Sequence, residues 1–168
     1  LRKRGLVKEK DYHSAVLVAR SHASYYPGSK SMALKLLFSV DGKKLYGAQA
    51  VGAEGADKRI DILATALRLG AGVSELQELE LAYAPPYASP KDPVNLLGHL
   101  AQNVMDGLAR FCDWNTPDET EPDRPVFLDI RREKSRRTFP LQGSINIGMD
   151  EIRSRLGGKE PGMPHLGP

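Results

Sequence analysis

Cysteine is nearly absent: Cys112 stands alone among 168 residues. One thiol cannot close an internal disulfide or supply a multi-cysteine zinc site, so neither framework holds this chain together. The scarcity fits a reducing compartment, and the cytoplasm is the expected location. Cys112 follows the end of an expected helix rather than preceding the start of one, so no helix dipole lowers its pKa. It reads as a structural or idle thiol and not as a nucleophile. The four histidines stand far apart, with no carboxylate or second histidine at i+4, and no metal site is expected. No apolar run approaches the roughly 20 residues of a membrane-spanning helix. The N-terminus also has no signal-peptide layout, so no membrane association is expected. Glycine-rich phosphate cradles are missing too: neither GxGxxG nor the Walker pattern occurs, and Gly52-Ala53-Glu54-Gly55-Ala56 has the spacing of neither. The chain is not expected to bind a dinucleotide by itself. Nor does charge of one sign dominate, since 24 Lys+Arg against 21 Asp+Glu leave a net +3, which does not demand nucleic acid as a partner. Arg2-Lys3-Arg4 and the run from Arg131 to Arg137, interrupted by Glu133, read as solvated surface.

What is present is enough apolar material, 40% of residues, for a core in one ordinary domain or two small ones. Alternating and β-branched residues from Tyr12 to His22 predict a partly buried strand, broken by Tyr25-Tyr26-Pro27-Gly28. Ala33 to Val40 and Lys44 to Val51 predict two more strands, joined by Asp41-Gly42, a dipeptide suited to the positive φ angles of a tight hairpin. After Gly55 the period changes. Ile60, Leu63, Ala64, Leu67 and Arg68 have helical spacing from about Ala56 to Leu69, closed by Gly70 and Gly72. Ser74 and Gln77 have capping-box spacing, which predicts a short helix from Ser74 to about Leu79. A brief strand from Glu80 to Tyr83 is expected before the rigid turn Ala84-Pro85-Pro86-Tyr87. Asp92 and Pro93 suit the N-cap and first turn of a helix with Val94, Leu97, Leu100, Ala101, Val104 and Leu108 on one face.

From Asn115 to Pro125 the chain is polar and acidic with almost nothing to bury, which predicts an interdomain linker. Val126 to Ile130 and Ser144 to Ile147 then read as short strands, and Asp150 to Leu156 as a helix closed by Gly157-Gly158, the opening of an α/β unit. The chain begins at Leu1 without an initiator Met and ends in Gly162 to Pro168 with no closing element, so a fragment of a longer protein is expected.

Three places invite a functional reading. Glu54 to Asp61 is dense in charge and reads first as a solvated helix start, with Asp57 favoured by the dipole and a subunit contact as the competing reading. Tyr83-Ala84-Pro85-Pro86-Tyr87 with Lys91-Asp92-Pro93 offers phenols on a stiff exposed turn, a combination found at interfaces and ligand sites as well as in plain structural turns. His22, beside the paired tyrosines, is the histidine worth following.

Four segments occur together: Ser21-His22-Ala23-Ser24-Tyr25-Tyr26-Pro27-Gly28, Gly47 to Gly52, Gly55 to Asp61, and Leu81 to Tyr87 running on to Lys91-Asp92-Pro93-Val94-Asn95. In this order they resemble the C-terminal dimerisation domain of FAD-dependent pyridine nucleotide-disulfide oxidoreductases, of the coenzyme A-disulfide reductase and NADH oxidase type. The resemblance implies an α+β fold, a small antiparallel sheet with packed helices, over residues 5–108, then a linker over 109–125. Val126 to Arg131, with Asp129 and Arg131 in an Asp-x-Arg signature, followed by Gly143 to Ile147 and Asp150 to Leu156, resembles the first half of an α/β rhodanese-like domain over 126–168. The usual His-Ile-Pro-Gly of that domain is Pro140-Leu141-Gln142-Gly143 here.

The resemblance further implies a homodimer whose subunits complete each other's sites, with Tyr25 and Tyr83 matching the tyrosines that face the partner's flavin and cysteine. FAD and NAD(P)H would be bound mainly by domains this chain lacks, and the electrons would reach coenzyme A disulfide, a persulfide or a polysulfide through a single redox cysteine that is not Cys112. The chain alone is expected to be inactive. An NADH oxidase passing its electrons to oxygen, and a non-catalytic dimerising module, are the alternative readings.

Overall fold

The computed structural model describes residues 12–111 and 127–156. The chain divides into two compact units, Leu1–Cys112 and Asp113–Pro168. Arg2-Lys3-Arg4, Cys112, the expected linker beyond residue 111 and Gly157-Gly158 lie outside the described residues.

The first unit is α+β. Three antiparallel strands, β1 (Tyr12–Arg20), β2 (Ser31–Ser39) and β3 (Leu45–Gly52), lie side by side in sequence order. Because strand side chains alternate between faces, Ala15 and Leu17 of β1, Met32, Leu34, Leu36 and Phe38 of β2, and Ala48 and Ala50 of β3 gather on one side. Three helices supply the rest of that core. Helix α1 (Ala56–Arg68) adds Leu63, α2 (Val73–Glu78) adds Val73 and Leu76, and α3 (Pro93–Met105) adds Val94, Leu97 and Ala101. Gly98 lets α3 lie close on α2, since a Cβ there would meet the Leu76 Cβ at 3.0 Å. Val18 and Val51 stay exposed on their strands.

The helix from Pro93 forms as its sequence predicts. Asp92 Oδ1 accepts from the Val94 N–H at 3.0 Å, and Pro93 occupies the first turn, where its missing N–H has no helical partner to lose. Leu108 falls beyond its end and is exposed.

Four further expectations need correction. The hairpin connection is Val40 to Lys44, not a two-residue turn, and Gly42 (φ 71°) alone has positive φ. The Asp41 carboxylate accepts from Ser39 Oγ at 2.6 Å and from the Lys43 N–H at 3.2 Å, and these bonds build a wider turn and hold its carboxyl below the usual range. Helix α2 uses Gly72 as its N-cap rather than Ser74, because the Glu75 carboxylate accepts the Gly72 N–H at 2.8 Å and the Val73 N–H donates to the Gly42 carbonyl at 2.7 Å. Glu80 to Tyr83 is irregular rather than a strand. Asn95 Nδ2 donates to the carbonyls of Leu76 at 3.1 Å and Leu79 at 2.9 Å, satisfying backbone just before this segment from a helix instead of a neighbouring strand. On α1 the buried side chains are Arg59 and Leu63, while Ala64 and Leu67 face out.

In the second unit, β4 (Leu128–Asp129) pairs in parallel with β5 (Ile145–Asn146), as an α/β opening requires. Helix α5 (Ile152–Leu156) follows. Between the strands lies α4 (Glu133–Thr138), a helix that the sequence pattern does not predict. It has no buried residue, so no apolar period betrays it, and an i,i+4 pair between Glu133 and Arg137 supports it on the surface. Among the described residues no helix is long and apolar enough to cross a membrane.

Candidate functional site

Two loops of the first unit meet at one edge, and each carries a tyrosine singled out from the sequence. The first, Ser21 to Lys30, links β1 to β2. Its ends are tied by the Ser21 N–H to the Lys30 carbonyl at 2.8 Å and by the Lys30 N–H to Ser21 Oγ at 3.0 Å. Inside the loop His22 is buried. Its Nε2 lies 3.3 Å from the Pro27 carbonyl and its Nδ1 lies 3.1 Å from Ser21 Oγ. A carbonyl can only accept, so this geometry suits the Nε2–H tautomer with the Ser21 hydroxyl donating to Nδ1. The Tyr26 ring stands edge-on to the imidazole, 5.8 Å away. His22 is therefore an internal strut of the loop.

The second loop runs from Leu79 to Asp92. Its proline turn closes through the N–H groups of Tyr87 and Ala88, both donating to the Ala84 carbonyl at 2.9 and 3.0 Å. The buried Ala88 then accepts the Ala23 N–H at 3.1 Å, which joins the two loops directly.

Above that junction the hydroxyls of Tyr25 and Tyr83, 58 residues apart in sequence, are 3.0 Å from one another. Tyr25 is 72% exposed and Tyr83 46%. The hydrogen bond with Tyr25, then partial burial, then the Tyr25 charge raise the Tyr83 pKa above the usual phenol value of 10.0. Tyr83 thus holds its proton more tightly than a free phenol. Tyr87 stands on the same turn and is exposed, and Lys91 Nζ donates to His99 Nε2 at 2.9 Å.

Beneath both loops lies Arg59, which its charged neighbours in sequence predict to belong to a solvated helix start. Arg59 of α1 is 1% exposed and Asp92 2%. Arg59 Nε donates to Asp92 Oδ1 at 3.2 Å and Nη2 to Oδ2 at 2.8 Å. Nη2 also donates to the Ser21 carbonyl at 3.0 Å, and Nη1 to the Gly55 carbonyl at 3.2 Å. Gly55 caps α1 at φ 73°, and a Cβ there would meet Nη1 at 2.5 Å. The available signal was the spacing of Arg59 with Leu63 and Ala66 at i, i+4 and i+7, which puts the arginine on the inward face.

In the second unit the Asp129 carboxylate, itself buried, accepts from Arg131 through Nε at 2.9 Å, Nη2 at 2.8 Å and the backbone N–H at 3.0 Å. The Arg131 guanidinium holds the Asp129 carboxyl at about 2, below its usual 3.8. Arg131 Nη2 also reaches the Phe139 carbonyl at 2.9 Å, and Asn146 Nδ2 donates to the carbonyls of Asp129 and Arg131 at 2.6 and 3.0 Å. The Asp-x-Arg signature thus shapes the turn after β4. Among the described residues no three His, Cys, Asp or Glu side chains stand close enough to share a metal ion.

Residues 3–92 match the family described as pyridine nucleotide-disulphide oxidoreductase, dimerisation domain. The coenzyme A disulfide reductase of Staphylococcus epidermidis RP62A is 48% identical over 96 residues, 57% of this chain and 22% of that protein. Among solved structures, reduced Bacillus anthracis CoADR-RHD superposes with a TM-score of 0.81 at 41% identity, over 92% of this chain and 27% of that one. An NAD-dependent persulfide reductase from A. fulgidus superposes with a TM-score of 0.77 at 36% identity, over 87% and 26%. The chain therefore spans about a fifth to a quarter of the length of these relatives.

Proposed function

Because the chain belongs to the pyridine nucleotide-disulphide oxidoreductases through its dimerisation domain, we propose that it is the dimerising, substrate-facing part of a flavoprotein that uses NAD(P)H to reduce coenzyme A disulfide, a persulfide or a polysulfide. The reaction runs through a single redox cysteine outside this chain. FAD, bound mainly by domains outside this chain, supplies the passage of two electrons from NAD(P)H to that cysteine. Tyr25 and Tyr83 act in the site of the partner subunit.

The observation that carries the reading is the 3.0 Å contact between the two phenol oxygens on an exposed edge. Either phenol can donate to the other; where Tyr83 donates to the Tyr25 oxygen, the Tyr25 O–H is free to point outward. In the reductive step the cysteine thiolate attacks one sulfur of the substrate disulfide, the sulfur–sulfur bond breaks, and the leaving thiolate takes a proton from Tyr25. The Tyr83 hydroxyl then stabilises the negative charge left on the Tyr25 oxygen. Each phenol adjoins a proline-restricted turn, which lowers the entropic cost of holding it in place. The similarity to a coenzyme A disulfide reductase and a persulfide reductase supports the substrate class.

The second unit, which we assign to residues 126–168 after a linker at 109–125, is read as the first part of a rhodanese-like domain. Its parallel strand pair and Asp129–Arg131 turn support that reading. The superposition on CoADR-RHD over 92% of the chain also supports it, because it extends past the first unit.

Hybrid dimers test the cross-subunit assignment. One subunit carries Tyr25→Phe and Tyr83→Phe, and the other lacks the redox cysteine. If the phenols serve the partner, the hybrid regains one working site while both parent homodimers stay slow. If they serve their own subunit, the hybrid is as slow as the homodimers and the assignment fails.

A further inference from the structure

We propose that Arg59 is the positioning residue of the tyrosine pair: buried under both loops, its guanidinium sets the separation of Tyr25 and Tyr83 by tying the start of one loop to the end of the other. Its bearing on turnover rests on the reading of the phenols as proton donors, whereas its bearing on their geometry does not.

In this chain by itself both phenols are exposed, so water competes for the hydrogen bond between them and that bond alone cannot hold two loops in register. The register must come from beneath. Two ties cross from the Ser21–Lys30 loop to the Leu79–Asp92 loop: the Ala23 N–H to the Ala88 carbonyl, and Arg59, which bridges the Ser21 carbonyl and Asp92. A single backbone hydrogen bond leaves hinge freedom, but a guanidinium does not. Its planar fork fixes the angles between its donors, and four hydrogen bonds commit it to Gly55, Ser21 and both oxygens of Asp92.

Asp92 adds a further constraint, because the same Oδ1 caps α3 through the Val94 N–H, so the second loop is fixed to a helix axis as well as to Arg59. Gly55 leaves the space that Nη1 occupies. Burying an ion pair costs its hydration, and apolar residues of similar size often serve stability as well. A buried arginine that reaches three separate chain segments is suited to fixing their geometry. Lysine cannot replace it, since one ammonium nitrogen cannot span the carbonyls of Ser21 and Gly55 while gripping both Asp92 oxygens.

The test uses Arg59→Lys, with Asp92→Asn as the second variant because its amide oxygen keeps the α3 cap. In this chain, the Tyr83 phenol is titrated by NMR on ring-labelled tyrosine, with circular dichroism to confirm folding. In the full-length enzyme, kcat and KM for coenzyme A disulfide are measured alongside flavin reduction by NAD(P)H. The expected result is a folded variant whose Tyr83 titration midpoint drops to that seen in Tyr25→Phe. Its kcat should fall about 10- to 10²-fold, with KM and flavin reduction unchanged.

A folded variant with the parent's Tyr83 titration overturns the proposal. So does a loosened pair with parental kcat when Tyr25→Phe and Tyr83→Phe are themselves slow. If those Phe variants turn over at the parent rate, the catalytic reading of the phenols fails, and the titration alone decides the role of Arg59. Failure of both variants to fold would make the pair a stability element and remove the proposal.

Discussion

In both units of the chain an arginine grips an aspartate through two nitrogens, but the partners stand 33 residues apart in the first unit and two apart in the second. The Arg59–Asp92 side chains are 1% and 2% exposed, whereas Arg131 is 41% exposed over an Asp129 that is 3% exposed. A local pair of this second kind shapes a turn that its own sequence already favours. A distant buried pair fixes elements that nothing else in their local sequence would bring together. The phenols stand on the two loops whose ends the distant pair ties together, and the difference in burial sets how much each arginine matters.

The sharpest contrast should come from Asp92→Ala, which leaves Arg59 charged and unpaired in the core and removes the α3 cap. Urea unfolding of the first unit should show a loss of about 3–5 kcal/mol. A loss under about 1 kcal/mol would put the pair on a par with surface bridges and erase the contrast.

Next in size is Gly55→Ala. It forces a side chain onto φ 73° and into the Arg59 Nη1 position, with an expected cost on the order of 1–3 kcal/mol. Its effect on the Arg59 contacts should appear as altered Ser21 and Asp92 chemical shifts.

The local pair is expected to reveal itself through pH. Asp129 titrates at about 2 when folded against an ordinary 3.8. Its contribution to the second unit is therefore full above pH 3.8 and lost as pH falls through about 2. Carboxyl NMR should find that midpoint near 2 in the parent and displaced towards 3.8 in Arg131→Ala. An unchanged midpoint would detach Asp129 from Arg131.

Much of the first unit was legible in its sequence because the signals are local. Alternating and β-branched residues mark β1, Asp41-Gly42 separates β2 from β3, Asp92-Pro93 marks the start of α3, and the two tyrosines sit on proline turns. The spacing of Arg59 with Leu63 and Ala66 points it inward, but its partner is not legible: a charged residue among Asp57, Lys58 and Asp61 looks solvated until Asp92, 33 residues on, is folded against it. The irregular Glu80 to Tyr83 segment has the same origin, since the backbone leading into it is satisfied by Asn95 on a later helix. In the second unit, α4 buries nothing, so there was no period to read, whereas the Asp129–Arg131 signature was legible because it acts within its own turn. Resemblance alone assigns Tyr25 and Tyr83 to one site, and that they touch is visible only in the fold, as no spacing rule joins residues 58 apart.

The smallest expected effect isolates the phenols: Tyr25→Phe should lower the Tyr83 pKa towards 10.0, because the hydrogen bond that raises it is gone. The folded value lies above the unfolded one, so the small stability this bond adds is present below pH 10 and lost as pH rises through the folded pKa.

In the proposed reaction the two phenols supply a proton to the departing sulfur. Single-turnover reduction of coenzyme A disulfide in the full-length enzyme carrying Tyr25→Phe and Tyr83→Phe together isolates that proton transfer. Proton donation by the phenols requires that the step be slowed by about 10²-fold or more, with flavin reduction by NAD(P)H and the dimer unchanged. Reduction at the parent rate would show that the rings only fill space and would contradict it.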